Sequence, residues 1–222
     1  FESGLVEYIN ENFKDVKTII KNVNSQNTNV ILGKKNIVLY GDGYIEDDIL
    51  GFKFKISPMS FYQVNPVQTE KLYSKAIELA DLKGDETIFD LYCGIGTIGI
   101  CASSKIQKLY GIETVPEAIE DAKKNASLNN IENSEFFAGD VEKALPEFIE
   151  KNNIKPDVIF IDPPRKGCDN VAIETILKIA PEKIVYISCN PATLSRDLKM
   201  FSEMYEIKEV TPVDMFPFTR TY

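Results

Sequence analysis

The sequence predicts an α/β protein built on a doubly wound parallel sheet, with a small antiparallel α+β subdomain at its N-terminus. Two observations predict this fold. From residue 85 onward, short apolar runs alternate with amphipathic segments of helical period, which is typical of βαβ units. Before residue 60, short strand-like runs are separated by glycines, as in antiparallel hairpins. We therefore divide the chain into an N-terminal subdomain at 1–60 and an α/β domain at 61–222.

The N-terminal subdomain is predicted to contain one helix and an antiparallel meander packed on or beside the α/β domain. The predicted helix covers residues 5–13, and the predicted strands cover 16–23, 30–32, 36–40, 44–49 and 52–56. A further helix is predicted at 66–80, because Asn65 is a favourable N-cap and Pro66 suits the first helical position.

The α/β domain is predicted to alternate strands and helices as far as residue 213. Its strands are predicted at 86–91, 108–112, 135–138, 157–161, 183–188 and 206–213, and its longer helices at 116–129, 141–151, 169–179 and 191–201. A glycine turn and a short helix follow the first of these strands. Strands that are apolar along most of their length indicate a sheet covered on both faces.

Composition excludes several classes of function. The 222 residues carry a net charge of −9, which argues against an autonomous nucleic-acid binder. Histidine is absent, so Ser–His and Cys–His catalysis within these residues is excluded. The four cysteines form no C-x-x-C pair, which disfavours a disulfide framework or metal site and favours the reducing cytoplasm. No apolar run approaches the roughly 20 residues of a membrane span.

The glycine turn after the first strand predicts a ligand site. Gly94, Gly96 and Gly99 match the dinucleotide pattern G-x-G-x-x-G, which is a weak signal when it stands alone. Asp90 lies four residues before Gly94, at the carboxyl end of the strand. A carboxylate there would repel a pyrophosphate, but it suits the cationic amino group of S-adenosylmethionine. A nicotinamide-dependent dehydrogenase is therefore disfavoured.

Two further acids follow the next two strands. Glu113 can accept both hydroxyls of a ribose, and Asp140 can accept from an adenine amino group. Acids after the first three strands form the usual cradle for S-adenosylmethionine, which we predict as the cofactor, with S-adenosylhomocysteine as its product.

The loop after the fourth strand, Asp162-Pro163-Pro164-Arg165, is made rigid by its prolines and lies where open α/β sheets bind ligands. Amine methyltransferases use a similar loop with an aromatic fourth residue. Here that residue is Arg165, a candidate for contact with a base or a phosphate. Methylation of an exocyclic amine of adenine or guanine thus remains an alternative function.

Cys189 follows the fifth strand and is the candidate nucleophile. Asn190 and Pro191 resemble an N-cap and a first helical residue, so the thiol lies at a helix start. We expect the helix dipole to lower the pKa of the thiol and Arg196 to add positive potential. A thiolate beside a methyl donor suits methylation of a pyrimidine at C5, because addition at C6 makes C5 nucleophilic.

These features together resemble the RNA uracil-C5 methyltransferases that act on transfer and ribosomal RNA. The resemblance covers nearly the whole chain, at residues 61–66, 90–97, 162–167 and 188–194. It implies a class I, Rossmann-like methyltransferase fold that acts on uridine in RNA, with 23S rRNA favoured over tRNA. It implies that Cys189 is the nucleophile and that the cofactor and base pocket is lined by Gln63, Tyr92, Gly94, Gly96, Thr97, Glu113, Asp140 and Asp162.

The sequence also departs from that family. The family's N-terminal RNA-binding barrel and the iron–sulfur cluster of some members have no counterpart here, and its general-base Glu falls after residue 222. We therefore expect a C-terminally truncated catalytic domain, weak or inactive alone, whose sheet is one strand short. A non-catalytic RNA-binding or scaffold fragment is the second alternative.

Overall fold

The structure is a computed structural model that describes residues 2–25, 31–33, 35–217 and 219. Within these residues the chain forms seven α-helices and nine β-strands. In chain order they are α1 (Glu2–Asn12), β1 (Ile19–Val23), β2 (Lys35–Tyr40), β3 (Ile45–Ile49), β4 (Phe52–Ile56), α2 (Pro66–Ala80), β5 (Thr87–Leu91), α3 (Thr97–Ala102), β6 (Lys108–Glu113), α4 (Pro116–Leu128), β7 (Ser134–Ala138), α5 (Val141–Asn152), β8 (Val158–Ile161), α6 (Asn170–Ile179), β9 (Lys183–Tyr186) and α7 (Pro191–Phe201).

Five of these strands form one parallel sheet in the order β7-β6-β5-β8-β9. The two faces of the sheet have separate hydrophobic cores. Ile88 of β5 packs into a core that includes side chains of α2, α3 and α4, whereas the next residue, Phe89, packs with side chains of α5, α6 and α7. Successive strand residues point to opposite faces, so both faces are covered by helices. The predicted doubly wound α/β fold is confirmed.

Two helices begin where their capping residues predict. The Asn65 side chain accepts a hydrogen bond from the Gln68 N–H at 3.2 Å, and α2 starts at Pro66. The Asn190 side chain accepts from the Ala192 N–H at 3.0 Å, and α7 starts at the next residue. Each cap satisfies a backbone donor that the first helical turn leaves unpaired.

The N-terminal strands form two separate hairpins rather than the predicted single meander. β1 pairs with β2, and β3 pairs with β4, each antiparallel. Between the hairpins, Gly41 and Gly43 adopt positive φ angles of 74° and 80°, which turn the chain so that β2 and β3 do not pair. The predicted strand at 30–32 is wrong for Ile31 and Leu32, and its first residue lies outside the described part of the chain.

Asn125 of α4 and Asn129, which caps the C-terminus of that helix, hold the second hairpin against the α/β domain. The Asn125 side chain accepts from the Lys55 N–H at 2.8 Å and donates to the Lys55 carbonyl at 3.2 Å. Asn129 does the same for Lys53, at 2.9 and 2.7 Å. Because Asn125 and Asn129 are one helical turn apart, their amides match alternate residues of β4. The division of the chain at residue 60 stays a prediction.

The predicted last strand, at 206–213, is wrong. These residues form no regular element and have no ladder partner, and β9 pairs only with β8 in the described part of the chain. Lys75 of α2 forms an ion pair with Glu209 at 3.0 Å, and the Asn65 side chain donates to the Met215 carbonyl at 2.9 Å. These contacts hold the segment against the α2 region. The parallel sheet in residues 35–217 therefore has five strands, one fewer than the six that the sequence predicts for this domain.

Asp90 connects the central strand to α3. Its side chain is fully buried, and Oδ2 accepts a hydrogen bond from the Gly99 N–H at 3.0 Å. Its other oxygen, Oδ1, is buried without a hydrogen-bond partner. Burial raises the pKa of Asp90 to about 7, and the negative charges of Asp162 and Glu113 contribute in the same direction.

Substitution of Gly111 by alanine tests the packing beneath the central strands. An added Cβ at Gly111 would lie 2.4 Å from Cδ1 of Phe136 and 3.0 Å from Sγ of Cys93, so we expect Gly111→Ala to lower the free energy of unfolding by about 1–3 kcal/mol. Urea denaturation would measure the change. Gly4→Ala in α1 is the control: a Cβ there meets nothing within 4 Å, and no loss of stability is expected. Equal effects of the two substitutions would contradict this account.

The raised pKa of Asp90 predicts a stability that falls with rising pH. The folded protein keeps a proton on this carboxyl that the unfolded chain releases at its ordinary pKa, so stability is lost between about pH 4 and pH 7. Asp90→Asn keeps an acceptor for the Gly99 N–H and carries no charge. We expect the variant to exceed the wild type in free energy of unfolding at pH 8, by a few kcal/mol at most, and the difference to shrink towards pH 4. A difference independent of pH in urea titrations would count against this assignment.

Candidate active site

The glycine turn after β5 has one glycine that faces open space. Tyr92, Gly94 and Gly96 adopt positive φ angles of 62°, 56° and 82°. An added Cβ at Gly94 would meet nothing within 4 Å, whereas one at Gly96 would lie 3.0 Å from Cε1 of Phe136. Gly99 is similarly enclosed, by Leu109 and Asp90. Of the three glycines in the motif, Gly94 has room for a ligand beside it, and the other two are explained by packing.

Glu113 is held beside this turn by two backbone donors. Its Oε2 accepts from the Gly94 N–H at 3.1 Å, and its Oε1 accepts from the Val115 N–H at 3.0 Å. The side chain is half-buried at the end of β6. These two hydrogen bonds fix the orientation of the side chain, and each carboxylate oxygen can accept a second hydrogen bond.

Asp140 lies farther out, at the N-cap position of α5. It is exposed, its Oδ1 accepts from the Thr114 hydroxyl at 2.7 Å, and its Oδ2 is 3.8 Å from Nζ of Lys143. The side chain makes no capping hydrogen bond to α5. Its position after β7 matches the prediction, and its acceptor atoms remain accessible.

Thr97 contacts α2, and Gln63 precedes that helix in the chain. Thr97 begins α3 and is buried, and its hydroxyl shares a 3.2 Å hydrogen bond with the hydroxyl of Tyr73. Tyr73, on α2, was not a predicted site residue. Burial raises the pKa of Tyr73, and the charges of Asp162 and Asp90 raise it further. Gln63 is half-buried in the loop that precedes α2.

Asp162 begins the loop after β8, and its N–H donates to the Leu91 carbonyl of β5 at 3.3 Å. Burial raises the pKa of its half-buried side chain to about 7. In the described part of the chain, no lysine or arginine forms an ion pair with Asp90, Glu113 or Asp162. The ends of β5, β6 and β8 therefore bring together three acids that lack a cationic partner.

Cys189 is an exposed thiol, unlike Cys93, Cys101 and Cys168, which are buried. It lies three residues after β9 and just before the Asn190 cap of α7. The Ser188 hydroxyl accepts from the Asn190 N–H at 3.1 Å and donates to the Asn190 carbonyl at 3.0 Å, which fixes the backbone around the thiol. The sulfur is thus accessible and not packed into the core.

Arg196 does not have the role expected of it. Its guanidinium pairs with Asp197, with Nε at 2.8 Å and Nη2 at 2.6 Å from Oδ1, instead of lying free beside Cys189. The carboxylate of the next residue, Asp197, holds the guanidinium in this position. No sequence motif indicated that the two side chains would pair. Arg165 has an exposed side chain, while its carbonyl accepts from the side chains of Asn190 and Thr193 at 3.3 and 3.2 Å.

The residues present fit a cofactor with a cationic group and a ribose. The open space beside Gly94, the oriented carboxylate of Glu113 and the acids without a cationic partner all lie at one edge of the sheet. In the described residues, no group of three or more Asp, Glu or Cys side chains is arranged to bind a metal ion. Nor is any described helix both long and apolar enough to cross a membrane.

Comparisons with known proteins place the chain in a family. A family model described as tRNA (uracil-5-)-methyltransferase matches residues 7–222. Curated relatives described as uncharacterized RNA methyltransferases include one from Clostridium tetani, 56% identical over 213 residues, and one from Clostridium acetobutylicum, 53% identical over 216 residues. These matches cover 96% and 97% of this chain but 46% and 47% of the relatives. The chain therefore spans about half the length of the curated relatives it matches.

Comparison with solved structures supports the same family. The tRNA (uracil-54, C5)-methyltransferase of Pyrococcus abyssi, in complex with S-adenosyl-L-homocysteine, matches with a TM-score of 0.76 and 30% identity. The match covers 93% of this chain and 49% of that chain. The resemblance inferred from the motifs is confirmed: the chain has the Rossmann-like fold of a class I methyltransferase and belongs to the tRNA (uracil-5-)-methyltransferase family.

Proposed function

We propose that this chain is the catalytic part of an RNA methyltransferase that transfers a methyl group from S-adenosylmethionine to C5 of a uridine. The observation that carries the proposal is the exposed thiol of Cys189 at the same sheet edge as the acids that follow or end β5, β6 and β8. Family membership supports an RNA methyltransferase, and the neighbour bound to S-adenosyl-L-homocysteine supports the cofactor.

The chain's own residues would hold the cofactor through charge and hydrogen bonds. S-adenosylmethionine, when bound, supplies a sulfonium methyl group. Glu113 would accept the two ribose hydroxyls, and Asp140 would accept from the adenine amino group. Asp162 and Gln63 would orient the methionine end or the uracil, beside the turn that Tyr92, Gly94, Gly96 and Thr97 form. A cation close to Asp90 and Asp162 favours the ionised form of both carboxyls.

Cys189 supplies the nucleophile that uracil C5 requires. Its thiolate forms a bond to C6, and the electrons of the C5–C6 double bond move to C5 and the O4 carbonyl. C5 then takes up the methyl group. Loss of the C5 proton to a base restores the double bond and breaks the bond between sulfur and C6. The resemblance places that base after residue 222, and its identity stays a prediction.

A mechanism-based trap tests the role of Cys189. In the presence of S-adenosylmethionine, RNA in which the target uridine is replaced by 5-fluorouridine should form a stable covalent adduct with the full-length protein. After methyl transfer, the fluorine at C5 cannot leave as a proton does, so the bond between sulfur and C6 is not broken. Mass spectrometry should assign the adduct to Cys189. Cys189→Ala should form no adduct and lose methyl transfer by at least ~10³-fold, while calorimetry shows unchanged binding of S-adenosylhomocysteine.

The control is Ser195→Ala, which alters an exposed residue of α7, and it should behave like the wild type. Methyl transfer by Cys189→Ala at the wild-type rate would overturn covalent catalysis and favour methylation of an exocyclic amine. Failure of the wild type to bind S-adenosylhomocysteine would favour the non-catalytic scaffold instead.

The substrate is tested by mapping 5-methyluridine in cellular RNA. We expect one site to disappear when the gene is deleted and to return when the wild type, but not Cys189→Ala, is restored. A site in 23S rRNA would confirm the preference given by the sequence, and a site in tRNA would show that preference to be wrong. Loss of no 5-methyluridine in either RNA would count against uridine as the target.

A further inference from the structure

Asp197 of α7 is a buried carboxylate with every acceptor position in use. It is fully buried and accepts four hydrogen bonds. Oδ2 accepts from the Cys168 N–H at 2.8 Å and from the Tyr186 hydroxyl at 2.7 Å. Oδ1 accepts from Nε and Nη2 of Arg196. A buried charge is tolerated when it is paired and hydrogen-bonded in this way, so the geometry around Asp197 is tightly specified.

These hydrogen bonds clamp the end of the loop that begins at Asp162. Besides pairing with Asp197, Nη2 of Arg196 donates to the carbonyls of Lys166 and Cys168, at 2.9 and 3.2 Å. Gly167 lies between these residues with a φ of 78°. An added Cβ at Gly167 would lie 2.5 Å from both Nη2 of Arg196 and Oδ2 of Asp197. Loop and helix are therefore in contact with no space for a side chain between them.

The same clamp fixes the segment that carries the nucleophile. Tyr186, which donates to Asp197, is the last residue of β9 and lies three residues before Cys189. The Arg165 carbonyl of the loop accepts from Asn190, which follows Cys189. Asp197 thus holds, through its partners, both the loop that starts at Asp162 and the segment that presents Cys189.

We propose that Asp197 is a positioning residue: it fixes the Asp162 loop relative to Cys189 and so sets the rate at which the thiol adds to the pyrimidine, without touching the substrate. This inference rests on the proposed function. A misplacement of about 1 Å can slow such a step by about 100-fold, because the reacting atoms must be held in line.

Asp197→Asn tests the proposal in the full-length protein. The amide keeps an oxygen for the Cys168 N–H and Tyr186, but its NH₂ group faces the guanidinium of Arg196, so the clamp on Lys166 and Cys168 is released. We expect the single-turnover rate of adduct formation with 5-fluorouridine RNA to fall by about 10- to 100-fold. The KM for RNA and the affinity for S-adenosylhomocysteine should stay within about twofold of the wild type.

Tyr205→Phe is the matched control. The Tyr205 hydroxyl donates to the Pro181 carbonyl at 2.7 Å, so the substitution removes a partly buried hydrogen bond that does not involve the loop. If adduct formation slowed equally in Tyr205→Phe and Asp197→Asn, Asp197 would contribute only to the stability of the fold, and the proposal would be overturned. An adduct rate of Asp197→Asn equal to that of the wild type would also overturn it.

Two further measurements keep the proposal testable. If Asp197→Asn does not fold, Arg196→Lys is the second variant, because it keeps the positive charge but lacks the several N–H donors of the guanidinium. An adduct rate equal to that of the wild type in this variant would overturn the clamp.

Hydrogen exchange tests the clamp without using the reaction. Amides of residues 165–168, 189, 190, 192 and 193 should exchange faster in Asp197→Asn, with those of β5 and β6 unchanged. If the wild type forms no adduct, the proposed function fails, whereas unchanged exchange shows that the clamp itself is wrong.

Discussion

The parallel register of the central strands determines where the candidate site residues at the ends of those strands lie. Leu91 is paired with both Ile112 and Ile161, and Ile161 is paired with Tyr186, so β5, β6, β8 and β9 end at nearly the same level. The loops that follow parallel strands meet at one edge of the sheet. For this reason the glycine turn and the segments after β6, β8 and β9 are close together in space, although they are far apart in the sequence.

Asp90 and Asp197, the two fully buried aspartates among the described residues, differ in the number of hydrogen bonds that their carboxylates accept. Asp197 is paired with Arg196 and receives two further donors, so its charge is satisfied within the protein. Asp90 receives one donor, keeps an oxygen without a partner, and has a pKa raised to about 7. Grouping Asp90 with Asp162 and Glu113 at one edge adds mutual repulsion. This contrast supports a cationic ligand where the three acids meet, whereas Asp197 belongs to the scaffold.

The sequence predicted those structural elements well whose ends are determined by residues close together in the chain. The starts of α2 and α7 follow from Asn65-Pro66 and Asn190-Pro191, because a cap and a first-turn proline act within a few residues. The segment 206–213 has the composition of a strand, but a strand requires a hydrogen-bonded neighbour, which composition does not reveal. Likewise, the contact of Tyr73 with Thr97 joins residues 24 positions apart, and the pairing of Arg196 with its neighbour depends on where α7 packs.

The hydrogen bonds from the side chains of Asn125 and Asn129 to the backbone of β4 have a consequence for the behaviour of the protein in solution. A hairpin with a free outer edge can recruit a strand from another molecule, which is a common route to aggregation. Here the asparagine side chains occupy the N–H and carbonyl groups of Lys53 and Lys55, the groups that an incoming strand would need. These contacts therefore leave the backbone groups of Lys53 and Lys55 unavailable to a strand from another molecule, without adding a strand to the hairpin.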